Sequence, residues 1–146
     1  MKLTTTLKLL KEHGAPEGYL TPLLHYIGHD YDENKEINLL TILESNGAGH
    51  CVQAFKTLLN DKTYRNVFKI ISELAEDVFK CVSQYYKNIH YETVLKPLKN
   101  ALDGDNIFDK INLTHYALAH TICIASDEAE ECEKQAEMIK KYLTWE

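Results

Sequence analysis

The stretch Asp61 to Tyr86, DKTYRNVFKIISELAEDVFKCVSQYY, decides the fold class. Val67, Ile71, Leu74, Val78, Val82 and Tyr85 recur at spacings of three and four, the period that lines side chains along one face of an α-helix. Phe68, Ala75 and Phe79 make a second apolar stripe beside the first. A helix apolar over so wide an arc is packed from several sides, so the pattern predicts a long central helix over about 62–86, with Asp61 as its N-cap. Glu73, Glu76 and Asp77 read as its polar stripe; if buried, two of them could share a proton.

Outward from that helix the same period continues in both directions, and no run alternates in the manner of a half-buried strand. A short helix through Leu7, Leu9 and Leu10 is expected to follow Thr5 or Thr6 and to end at Gly14. A turn at 15–18 leads to a second helix over Tyr19–Ile27, with Pro22 in its first turn and Gly28 beyond its end. After a polar loop, Asn34 is placed to cap a helix over Glu36–Asn46, and Gly47-Ala48-Gly49 marks a corner into a helix over about His50–Leu59. Thr93 is read as the cap of a helix that contains Pro97 and stops before Gly104. A longer one is expected over Ile107–Ala125. The last starts at Ser126 or Asp127, where Asp127 and Glu130 have the spacing of a capping box, and its expected core face is Ala129, Cys132, Ala136, Ile139 and Leu143. The fold class expected is therefore all-α, a bundle of seven or eight helices making one domain over 1–146.

Composition bounds the function. Of 146 residues 45% are hydrophobic and 26% charged, enough for a packed core at this length. The net charge of −6, heavier in the C-terminal half, disfavours phosphate backbones and anionic lipid as partners. No apolar run approaches the ~18–20 residues of a membrane span, and Met1-Lys2-Leu3-Thr4 lacks the apolar core of a secretory signal, so a cytoplasmic protein is expected. Cys51, Cys81, Cys123 and Cys132 form no C-x-x-C pair and read as reduced core thiols.

Motifs for chemistry are sparse. His25 and His29 are four apart, but Gly28 breaks the helix between them; His120 and Cys123 are three apart on a helix that looks buried. Neither makes a coherent ligand set, so no metal or other cofactor is expected. There is no H-E-x-x-H, G-x-S-x-G, P-loop or G-x-G-x-x-G, and Gly47-Ala48-Gly49-His50 has no strand before it and no lysine after it. No catalytic residues are assigned.

Two surface features remain. The run Asp127-Glu128-Ala129-Glu130-Glu131-Cys132-Glu133, followed by Lys134, Lys140 and Lys141, suits the helix macrodipole and reads either as a solvated face or as an acidic docking rim. Tyr85-Tyr86-Lys87-Asn88-Ile89-His90-Tyr91 either caps the end of the bundle or offers aromatic anchors. On the binding reading the contact residues are Tyr86 and Tyr91 as anchors, with Glu128, Glu130 and Glu131 as the charged rim.

Several segments carry a resemblance: Leu9-Leu10-Lys11-Glu12-His13-Gly14-Ala15; Leu43-Glu44-Ser45-Asn46-Gly47 leading into Ala54-Phe55-Lys56-Thr57-Leu58; Val67-Phe68 and Ala75-Glu76-Asp77-Val78; Lys96-Pro97-Leu98-Lys99-Asn100-Ala101; and Glu133-Lys134-Gln135 through Ile139 to Tyr142-Leu143. In these the chain resembles a phage and bacterial family of small helical proteins described as immunity proteins of toxin systems. The resemblance implies a non-enzymatic inhibitor that occludes or sequesters a host or toxin protein, in a phage setting a counter-defence factor, and it brings no active site. A basic surface on the partner would match the acidic rim, and self-association is compatible with the same faces. The alternative function is a sponge that holds a small molecule or nucleotide signal between helices without turnover.

Overall fold

A computed structural model describes residues 3–84 and 91–144. Among them eight α-helices make an all-α bundle: α1 Leu7–Glu12, α2 Glu17–Ile27, α3 Leu39–Asn46, α4 Ala48–Ala54, α5 Tyr64–Ser83, α6 Lys96–Asp103, α7 Ile107–Ile124 and α8 Glu128–Leu143. A 3-10 turn, Phe55–Leu58, extends α4, and a π-helical turn, Tyr91–Leu95, leads into α6. No helix is long and apolar enough to cross a membrane among the described residues.

α5 carries the burial that its sequence promises. Val67, Ile70, Ile71, Leu74, Ala75, Val78 and Val82 are all buried, and the helix packs on α6, α7 and α8. α7 shares the centre with it, running against α4, α5, α6 and α8 and burying Ile111, Ala117 and Leu118. The buried side chains form one cluster reaching from Leu3 to Ile139. Lys110 joins them from α7: its ammonium donates to the Leu102 carbonyl at 3.0 Å and lies over the Phe68 ring, 5.2 Å from its centroid. Those partners replace the water it loses.

Five element boundaries differ from the sequence reading, one of them that of α4, which begins at Ala48 within the expected corner rather than at about His50 and ends at Ala54. α3 starts at Leu39, not Glu36, because Ile37–Asn38 is extended and pairs antiparallel with Thr4–Thr5 in a two-residue ribbon, β2 against β1. Asn38, rather than Asn34, is the cap, accepting from the Leu40 N–H at 2.9 Å. The pairing is too short to show alternation, and the N-terminal strand that completes it is remote in sequence. α2 begins two residues early, so Pro22 falls inside it rather than in its first turn. α5 begins at Tyr64, not after an Asp61 cap: Asn60 Oδ1 accepts from the backbones of Lys62 and Thr63 and winds 60–63 into a turn. α6 begins at Lys96, following the π-helical turn that occupies the place expected of the Thr93 cap.

The cysteine expectation is also corrected. Cys51 is buried in the core, but Cys81, Cys123 and Cys132 are exposed. On α8 the expected face holds in the second half, where Ile139 is buried and Ala136 and Leu143 pack against the core, but in the first half Ala129 and Cys132 face solvent while Glu131 and Gln135 are buried. The Gln135 amide donates to the Leu118 carbonyl at 3.0 Å and to Glu131 Oε1 at 3.2 Å. A buried amide satisfied by a backbone carbonyl costs little, and hydropathy alone cannot foresee it. Lower on the same helix the Tyr142 hydroxyl donates to Asp77 of α5. Burial, together with that bond and the carboxylates of Asp77, Glu73 and Glu76, holds the Tyr142 phenol well above its ordinary pKa.

Candidate functional site

The site is assembled around the corner between α3 and α4. Gly47 stands at φ +87°, where a side chain would be strained, and it joins the two helices without an intervening loop. This places Asn46 at the end of α3 beside His50 in α4. The Asn46 Nδ2 group is 2.6 Å from the Tyr19 carbonyl and 3.1 Å from His50 Nδ1. A carbonyl only accepts, so the group facing it is the amide NH₂, and His50 Nδ1 must accept from that same NH₂. The ring proton of His50 therefore sits on Nε2. Tyr19 of α2 stacks on the His50 ring, centroids 4.5 Å apart, and its hydroxyl donates to the His50 carbonyl at 2.8 Å.

His115 arrives from α7, its ring 6.4 Å from that of His50 and inclined by 24°. It can come this close because Gly49 has no side chain: a Cβ there would lie 2.8 Å from His115 Nδ1. That Nδ1 is buried and makes no well-formed hydrogen bond, although the Gly49 backbone beside it favours its protonated form.

Together with His13 at the end of α1 and Lys56 in the 3-10 turn, these groups line a cavity of about 280 Å³. His13 Nδ1 donates to the Leu9 carbonyl at 2.9 Å, which fixes the proton on that nitrogen. In a chain of net charge −6, the cavity holds three imidazoles and an ammonium, and no Asp or Glu lines it. Burial lowers the pKa of His50, and repulsion from His115 lowers it further. Burial likewise lowers His115, with the Gly49 backbone opposing and Lys56 adding repulsion. Lys56 is itself lowered by burial. An anion in the cavity would favour the charged forms that burial disfavours.

The thiol nearest the site is held out of reaction. The Cys51 thiol, next in sequence to His50, is buried, donates to the Leu39 carbonyl at 3.5 Å, and is pushed far above its ordinary pKa by burial, which keeps it unreactive. No carboxylate stands in the cavity wall to orient either imidazole. A larger cleft of about 730 Å³ between α5 and α8 is lined by side chains of both signs, Lys80, Lys134 and Lys141 with the carboxylates of Asp77, Glu130, Glu131, Glu133 and Glu137, an acidic excess that offers no anion site.

Of the contact residues expected from sequence, Tyr86 and the Tyr91 side chain lie outside the described residues. Glu128 and Glu130 are exposed in the first turn of α8, where Asp127 Oδ1 accepts from the Glu130 N–H at 3.1 Å, half of the capping box. Glu131 does not belong to an exposed rim, being only 8% exposed and bonded to Gln135. The structure does not bring His25, His29, His120 and Cys123 into a ligand set, and no group of three metal-ligating side chains occurs among the described residues. The pocket itself was missed because its members are scattered along the chain. The one local signal was the second glycine of Gly47-Ala48-Gly49, which reads as part of a corner but makes room for His115. No protein-family model, curated protein or solved structure matches the chain.

Proposed function

We propose that this chain is a non-catalytic binding protein that captures a small anionic molecule in the His13, His50, Lys56 and His115 pocket. The observation that carries the reading is the sign of the cavity: a pocket with an ammonium, three imidazoles and no carboxylate, in an acidic protein. Its volume, just under the ~300–1,000 Å³ of most ligand pockets, suits a compact ligand. The reading corresponds to a sponge, which holds a signal without turning it over. A ligand that binds only the folded state at 100-fold above its Kd adds about 2.7 kcal/mol of stability. Thermal unfolding in the presence of phosphate, sulfate and small carboxylates should show such a rise for at least one anion, and Lys56→Gln should reduce it. A midpoint unmoved by every anion would sink the reading.

A second reading, an inhibitor of the immunity type acting on a protein, is supported by three large apolar side chains left exposed on α7. Phe108, Tyr116 and Ile124 are each more than two-fifths exposed, and Ile124 is close in sequence to the acidic first turn of α8. A protein retained by the wild type but lost after Phe108→Ser with Tyr116→Ser favours it; retention unchanged by both substitutions counts against it.

A further inference from the structure

Resting on the anion-pocket reading above, we infer that the ligand is a phosphate-type dianion and that His115 takes up a proton as it binds, while His50 stays neutral as a fixed N–H donor. The two histidines differ in one respect. His50 Nδ1 accepts from an Asn46 NH₂ that is pinned by the Tyr19 carbonyl, so a second proton on that ring would face a donor. His115 Nδ1 faces no such donor: it is without a well-formed bond and lies next to the Gly49 backbone, which favours a proton there, while burial first and Lys56 second hold the ring neutral until an anion offsets them. The other titratable groups facing the rings are the Tyr19 phenol from α2, the Cys51 thiol from α4, His13 from α1 and Lys56 from the 3-10 turn. Burial pushes the phenol and the thiol upward, so neither supplies charge.

The charge count then selects the ligand. A carboxylate is balanced by Lys56 alone and asks nothing of the imidazoles. A dianion leaves one negative charge that only an imidazolium can meet, and its several oxygens also use the Nε2–H of His50. The pocket is complete only around such a group, whether free phosphate or the phosphate of a small monoester.

Titration calorimetry on the full chain tests this, with sulfate as a probe that stays a dianion, inorganic phosphate and a nucleoside 5′-monophosphate as the two sources, and acetate as the monoanion. Repeating each titration in buffers of different ionisation enthalpy reads the protons taken up. Sulfate affinity should fall by up to about tenfold per pH unit as pH rises past the His115 pKa, the slope for one linked proton. His115→Gln should remove that slope. His50→Gln should weaken binding by about tenfold for one lost hydrogen bond and keep the slope. Thermal unfolding confirms that each variant is folded; where His50→Gln is not, the ¹⁵N shifts of both rings in the wild type, with and without sulfate, carry the distinction. Dianion binding without proton uptake, or protonation of His50 or His13 in place of His115, overturns the inference and leaves the anion pocket standing. Acetate binding as tightly as sulfate overturns the dianion. Absence of any anion binding at pH 6 overturns both readings.

Discussion

Gly49 is the residue on which the pocket turns. Replacing a helical glycine by alanine ordinarily stabilises by about 1 kcal/mol, but here the added methyl meets His115 Nδ1 at 2.8 Å. Gly49→Ala should therefore leave the helix content and the midpoint of unfolding nearly unchanged while displacing His115 and abolishing the pH dependence of anion binding; circular dichroism and calorimetry on one variant check both halves. The histidines also set a stability profile. His50 and His115 have pKa values below 6.5 in the folded chain, so the unfolded state binds more protons between those values and 6.5. Stability conferred by the neutral rings is complete above about pH 6.5 and is lost as pH falls through that window. Denaturation of the wild type and of His115→Gln without ligand, at pH 7.5 and 5.5, should show the smaller loss in the variant; equal losses would contradict the assignment. Neither residue could be singled out from sequence, because a pocket is a property of chain segments meeting and not of a local spacing.

Among elements, α8 is where hydropathy misleads. Its ladder of Glu131, Gln135 and Ile139, spaced by four, faces the core because the Gln135 amide finds the Leu118 carbonyl of α7, so two polar residues are buried and Ala129 and Cys132 are left outside. Glu131→Lys removes an acceptor from a buried amide and brings in a charge without a partner, and should cost about 1–3 kcal/mol. Glu128→Lys, on the exposed side of the same turn, should cost about 0.3–1 kcal/mol by opposing the helix dipole. Urea unfolding of the two variants side by side separates a buried acid from a rim acid; equal costs would place Glu131 back at the surface. The capping residues tell the complementary story. Thr6, Asn106 and Asp127 each accept from an N–H three residues on, because that need is local, so α1, α7 and α8 begin where their sequences say. α3 does not, since the residues expected to open it are claimed by pairing with the N-terminal strand, two helices away in the chain.

At the scale of the molecule, the helical period of α5 was a sufficient guide to the class of fold, and its burial follows from it. Leu74 is fully buried, and Leu74→Ala should cost about 2–5 kcal/mol by denaturant titration, with Leu118→Ala on α7 in the same range. A negligible change at Leu74 would remove α5 from the centre. The equal standing of α7 was less legible, because its stripe includes Lys110, Thr114 and Thr121, polar residues that are buried nonetheless. Lys110 is accommodated by the Leu102 carbonyl and the Phe68 ring, partners that only tertiary structure supplies. The joining of distant segments has a further consequence in the order of events during synthesis. His13, Tyr19, His50 and Lys56 all belong to the first half of the chain, but the remaining wall of their cavity is His115. On the anion-pocket reading, a nascent chain whose α7 has not yet emerged lacks His115 and offers no closed pocket, so capture would wait for that helix.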